Sequence, residues 1–135
     1  MKSIYPVIFT QTDNVVLVEV PDMEILTEGK DMADAIDMAR DAIGLKGISM
    51  EDSGDLIPAS SDIKDIKISD GTFAEDGENY VFLVDIDFAE YRRKVDNKVV
   101  RRNVTLPNWL NLEANKAHIN VSKVLQDALM DRLER

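Results

Sequence analysis

With 135 residues, 44% of them hydrophobic, the chain holds enough for one compact domain and a small appendage, and its composition argues against global disorder. It has no cysteine and a single histidine, His118, which removes disulfides, thiolate nucleophiles and cysteine-bound zinc and leaves a histidine-rich metal site short of ligands. The net charge of −10 is unevenly spread: residues 1–90 carry 6 Lys+Arg against 21 Asp+Glu, residues 91–135 carry 10 against 5. An acidic body with a basic tail points to nucleic acid at the tail and not at the body.

In chain order, Ile4–Thr10 and Val15–Val20 are β-rich runs around the turn-like Gln11-Thr12-Asp13-Asn14, and they predict a hairpin. Pro21-Asp22 ends the second run, and Glu24–Thr27 offers a short third strand. Asp31 is a good N-cap for a helix whose Met32, Ala35, Ile36, Ala39 and Ile43 share one face, with Gly44 suited to its C-terminal cap. Asp34, Asp37 and Asp41 share another face. Such a row is ordinarily a solvated flank; the charge asymmetry adds the reading of a surface for a basic partner.

Residues 45–79 are punctuated by Gly, Pro, Ser and Asp and predict a long loop, with Ile63, Ile66 and Ile68 adding a small strand or helical turn. Tyr80–Phe88 is the most strand-like run, and its apolar density predicts a central position in a sheet. Strand, strand, strand, helix, strand makes the body α+β or α/β.

In the tail, alternation over Val99–Leu106 separates Arg101, Asn103 and Thr105 from Val100, Arg102, Val104 and Leu106. The first set offers guanidinium, amide and hydroxyl groups at every second position, as a paired ribbon in the DNA major groove requires; an edge strand with a polar solvent face has the same pattern. A lone strand needs a second copy to pair with, so the segment implies a dimer. After Pro107, Leu106, Leu110, Ala114 and Ala117 form one helical stripe. A second helix opens at Asn120, with Val124, Leu125, Ala128 and Leu129 inward. The start of that helix, Asn120, Val121, Ser122 and Lys123, suits a DNA phosphate, as does Arg102; plain capping explains Asn120 and Ser122 equally.

Residues 98–135 thus resemble the ribbon-helix-helix DNA-binding repressors, through Arg101-Arg102-Asn103-Val104-Thr105-Leu106-Pro107, the Leu/Ala stripe, and Ile119-Asn120-Val121-Ser122-Lys123-Val124-Leu125. The resemblance implies a two-fold dimer reading bases through Arg101, Asn103 and Thr105. Arg102 stands where that family usually has an apolar core residue, and His118 where its interhelix turn usually has glycine. The body is similar to the HicB antitoxins, through Tyr5-Pro6-Val7-Ile8-Phe9, Val18-Glu19-Val20-Pro21-Asp22-Met23, Thr27-Glu28-Gly29, Ala35-Ile36, Ala39-Arg40-Asp41-Ala42-Ile43 and Gly54-Asp55-Leu56-Ile57-Pro58-Ala59-Ser60. Asp22-Met23-Glu24-Ile25 lacks the Gly-Cys often found there.

These resemblances imply an α+β protein. Its body over 1–90 would be a partly degenerate RNase H-like fold that binds and neutralises a HicA-like toxin, a small basic protein that cleaves RNA. A linker would follow at 91–97, and a ribbon-helix-helix module at 98–135 would bind operator DNA and repress the operon. Toxin contacts are expected at Asp34, Asp37 and Asp41. The tail strand is expected to hold a homodimer, and body packing or Trp109 and Leu112 offer a route to a tetramer.

Asp85 and Asp87, with Asp13 and Glu19, would be the carboxylates of a metal-dependent nuclease if they converged. Spacing gives no sign of convergence, and neither catalysis, a metal nor a cofactor is expected. Nothing approaches the roughly 20 apolar residues that span a bilayer, and the start of the chain, with its early Pro6, has too short an apolar run for a signal peptide, so a cytoplasmic location is expected. The alternative function is a ligand-responsive ribbon-helix-helix repressor without a toxin partner.

Overall fold

The computed structural model describes residues 2–134. The chain divides into two compact units, Met1–Lys98 and Val99–Arg135. The first has strands β1 (Lys2–Gln11), β2 (Val16–Val20) and β3 (Ile25–Gly29), helix α1 (Met32–Asp52), strand β4 (Glu78–Asp87) and helix α2 (Phe88–Val95). The second has α3 (Asn108–Lys116) and α4 (Val121–Leu133).

The four strands form an antiparallel sheet in the order β3-β2-β1-β4, which settles the class as α+β. β1 and β2 make the expected hairpin, with Phe9 opposite Val18, and Thr12 turning it through Oγ1 and N–H bonds around Val15. Tyr5, Val7 and Phe9 of β1 join Val16, Val18, Val20, Val84 and Ile86 against Ala35, Ala39 and Ile43 of α1. Asp31 caps α1 by accepting from the Asp34 amide at 2.8 Å, and the Asp34 carboxylate accepts in turn from the Lys30 amide at 2.8 Å.

The expected position of the next strand needs correction. β4 lies at the rim of the sheet; the central strand is β1, buried on both faces from Tyr5 to Thr10. β3 runs parallel to β1, so a direct helical crossover from β3 would have laid β4 parallel as well. The long segment after α1 instead carries the chain across the sheet, and β4 returns antiparallel. Two carboxylates near the end of β2 hold that segment down. Asp22 accepts from the Ser61 amide (2.7 Å) and hydroxyl (2.6 Å), and Glu19 from the Thr72 amide (2.8 Å) and hydroxyl (3.0 Å). Within it, Ile63–Asp65 and Ile68–Asp70 form single 3-10 turns, the helical of the two alternatives read there, and no strand.

Gly44 does not cap α1, and residues 45–52 are helix rather than loop. Gly44 and Gly47 are interior positions kept bare for α2. A Cβ on Gly44 would stand 2.7 Å from the Tyr91 ring, and one on Gly47 would run into Phe88. The apolar pattern weakened after Ile43 because this stretch of α1 presents space, not side chains. Gly47→Val is therefore expected to cost about 1–3 kcal/mol by overpacking, read as a lowered melting temperature with unchanged α-helix content.

α2 itself occupies part of the expected linker. Asp87 caps it through the Glu90 amide at 3.1 Å, Tyr91 packs on the core, and Arg92 bonds the Ile48 carbonyl (3.2 Å) and the Asp52 carboxylate (3.0 Å). The Tyr91 hydroxyl donates to Asp41 at 2.6 Å. Burial, the bond to Asp41 and that carboxylate's charge push the phenol up to about 12. Because the folded value lies above the ordinary value of 10.0, this contact stabilises fully below about pH 10 and its contribution disappears as the pH rises towards 12. Tyr91→Phe is expected to flatten that alkaline loss of stability in urea titrations between pH 9 and 12.

Candidate functional site

In the second unit, Val99 to Pro107 carry no regular secondary structure, so the strand expected there is not formed in a single chain. The physical reason is the absence of a ladder partner for its backbone. Its intended core face is also uncovered: Val100 is 78% and Val104 50% exposed. Arg101, Arg102, Asn103 and Thr105 are exposed with them. Leu106 and Pro107 precede α3, with Pro107 at its N-cap, so the stripe within the helix starts at Leu110.

The turn between the helices follows the residues closely. His118 takes the left-handed conformation, at φ 55°, that glycine would adopt freely. Its amide bonds the Asn115 carbonyl at 3.2 Å and the Ile119 amide bonds the Ala114 carbonyl at 3.1 Å, a Schellman closure of α3. Asn120 then caps α4 by accepting from the Lys123 amide at 3.1 Å. The Lys123 ammonium rests 3.5 Å from Asp127 one turn along the helix, an exposed pair of small energetic weight. The amides of Val121 and Ser122 have no acceptor among the described residues.

No described residue of this unit is buried, and only Ala114, Val121 and Leu125 reach intermediate burial. Trp109, Leu112, Ile119, Val124, Leu129 and Met130 are all at least half exposed. Val99, Val100, Leu125 and Leu129 line an open groove of about 620 Å³. A unit of fewer than about 40 residues seldom folds stably without an added constraint or partner, and this one leaves its apolar surface open.

On the body, the acidic row of α1 is engaged within the chain. Asp34 holds the Lys30 amide, Asp37 pairs with Arg40 at 3.6 Å, and Asp41 takes the Tyr91 hydroxyl. The carboxylates of the nuclease alternative do not converge. Asp85 accepts from Arg40 (3.1 Å) and Lys2 (3.4 Å), and the Arg40 guanidinium, helped by Lys2, holds its carboxyl below the usual range. Glu19 is occupied by Thr72, while Asp13 sits in the hairpin turn beyond Gln11, whose partner Glu78 is at the opposite end of β4 from Asp87. Among the described residues, no group of three or more His, Cys, Asp or Glu side chains could hold a metal ion. None of their helices is long and apolar enough to cross a membrane.

A family model described as HicB_like antitoxin of bacterial toxin-antitoxin system matches residues 5–129. The chain belongs to the HicB-like antitoxin family. The match runs through both units of this antitoxin, from the start of the sheet into α4. Two solved structures share its fold. A toxin-antitoxin complex from Streptococcus pneumoniae superposes with a TM-score of 0.62 at 23% identity, covering 98% of this chain and 99% of that one. The antitoxin HicB of Burkholderia pseudomallei gives 0.51 at 23% identity, covering 98% and 97%. No curated protein matches the sequence.

Proposed function

We propose that this antitoxin neutralises a small, basic, RNA-cleaving toxin of the HicA kind through its body and represses the shared operon through its tail. Family membership over nearly the whole length carries the reading, because it joins an acidic unit and a basic one in a single antitoxin. The body, whose elements run strand-strand-strand-helix-strand, is read as the degenerate RNase H-like, toxin-binding unit. Its excess of carboxylates suits a basic partner. Asp34, Asp37 and Asp41 belong to the surface a toxin would meet, although their local bonds leave less of their charge free.

The tail acts as a ribbon-helix-helix dimer. Two copies of residues 99–106 pair as an antiparallel ribbon, which gives the backbone its ladder and covers Val100, Val104 and the groove beside Leu125 and Leu129. Arg101, Asn103 and Thr105 then lie together on one ribbon face for base contacts in the major groove. Arg102 and the helix start at Asn120, Val121, Ser122 and Lys123 serve the flanking phosphates. The exposed apolar surface of this unit supports dimerisation, and Trp109 and Leu112 offer surface for a tetramer.

Co-expression with the toxin of the same operon tests the first half: growth should be restored and the two proteins should elute together. Growth arrest beside soluble antitoxin would overturn neutralisation. Gel-shift titration against the operon promoter tests the second half, and equal affinity for promoter and random DNA would overturn repression.

A further inference from the structure

One rim of the body's sheet is built like a docking edge. β4 bonds to β1 along one side over ten residues, and among the described residues no strand pairs with its other side, although the turn at Ile63–Asp65 lies close to β4. Near one end of the open side, Arg40 takes the Asp85 carbonyl at 3.0 Å as well as its carboxylate. Near the other end of β4, the Asn79 side-chain NH2 donates to the Ala74 carbonyl at 2.8 Å while its oxygen accepts from the Thr10 hydroxyl of β1 at 2.6 Å. Between them lie Tyr80, Val81, Phe82, Leu83 and Val84, with no charge, no proline and no glycine.

Sheets ordinarily guard an edge with short length, charge, proline or a bulge. The opposite rim, β3, is only five residues long and carries Glu28. β4 has none of these protections over its middle, and it displays large side chains there. Tyr80 is 38%, Phe82 40% and Leu83 53% exposed, and the rings of Tyr80 and Phe82 stack with centroids 6.0 Å apart. An open edge with side chains ready on both faces is the geometry of β-augmentation, in which a partner strand supplies main-chain bonds and pockets select its side chains.

Charge chooses the occupant. Exposed Glu75, Asp76 and Glu78 stand at one end of the apolar stretch, within a body whose residues 1–90 hold 21 acidic against 6 basic residues; Asp85 at the other end is already paired with Arg40 and Lys2. A second copy would bring the same negative charge to the contact, whereas a basic protein brings the complement. We propose that the toxin docks on the β4 edge over Tyr80–Val84, adding a strand that is apolar at its centre and carries Lys or Arg at the end that meets Glu75, Asp76 and Glu78. This inference rests on the antitoxin reading above, and it assigns the main toxin contact to β4 rather than to the acidic row of α1.

The natural lack of cysteine makes the test direct, since Leu83→Cys introduces the sole thiol of the full chain. With a photo-crosslinker on that thiol and a catalytically inactivated toxin of the same operon, the expected product is an antitoxin–toxin adduct. Leu83→Lys should weaken toxin affinity by more than tenfold. Leu56→Lys, at a leucine 91% exposed in the long loop, adds the same charge and should change it less than twofold. A wild-type complex that forms while Leu83→Lys binds as Leu56→Lys does, or an adduct between two antitoxin copies, would overturn the β4 edge and leave the antitoxin reading standing. Failure of the wild-type chain to bind the toxin at all would overturn both.

Discussion

Phe9→Ala should destabilise the body by about 3–5 kcal/mol, the range for removing a large aromatic side chain from a packed interior. Phe9 is fully buried on the central strand, opposite Val18 on one side and Tyr80 on the other, with its ring centroid 5.5 Å from that of Phe82. The cavity would open under β4 as well as under α1. A loss of this size is comparable to the whole stability of many small domains, so toxin neutralisation should fail at growth temperature. The tail has its own internal contacts from Val99 onward, and operator binding should persist. Thermal unfolding followed by circular dichroism, paired with gel-shift titration, checks both halves. Parallel loss of DNA binding would mean that the tail depends on a folded body.

The second large effect belongs to the tail. Arg101→Ala and Asn103→Ala are each expected to cost about 1–3 kcal/mol of operator binding, because a side chain paired to a base edge carries discrimination of that order. Affinity for random DNA should change far less for Asn103→Ala, which removes no charge. Lys123→Ala should behave differently, weakening binding to every sequence and flattening its salt dependence by about one phosphate contact. Titrations on operator and random DNA at several salt concentrations separate the roles. Undiminished operator preference in both Arg101→Ala and Asn103→Ala would place base readout elsewhere. Toxin binding should be unchanged in all three.

Where a side chain caps or turns its own backbone, residues and structure agree. Asp31 and Asn120 cap the helices they precede, Thr12 turns the first hairpin, and His118, standing where the related turn usually has glycine, takes the left-handed conformation. Each outcome depends on a side chain within a few positions of the backbone it serves. Gly44 shows where such reading stops. A helix-ending glycine and a glycine cleared for a neighbouring ring look alike until Tyr91 arrives from 47 residues further on. The short α2 was hidden for a related reason, since its charged Arg92 and Lys94 conceal that Phe88 and Tyr91 face α1.

By itself, the sequence determined the strand-strand-strand-helix-strand order, the helix pair of the tail, and the division into acidic and basic parts. These follow from periodicity, capping and charge, which are properties of neighbouring residues. Only the tertiary structure decided that β4 is a rim strand rather than a central one. A dense apolar run records that a strand is surrounded by apolar groups, not whether they belong to its own chain or to a partner. In β4 the core on the α1 side covers Val84 and Ile86, while Tyr80, Phe82 and Leu83 stay exposed in the single chain.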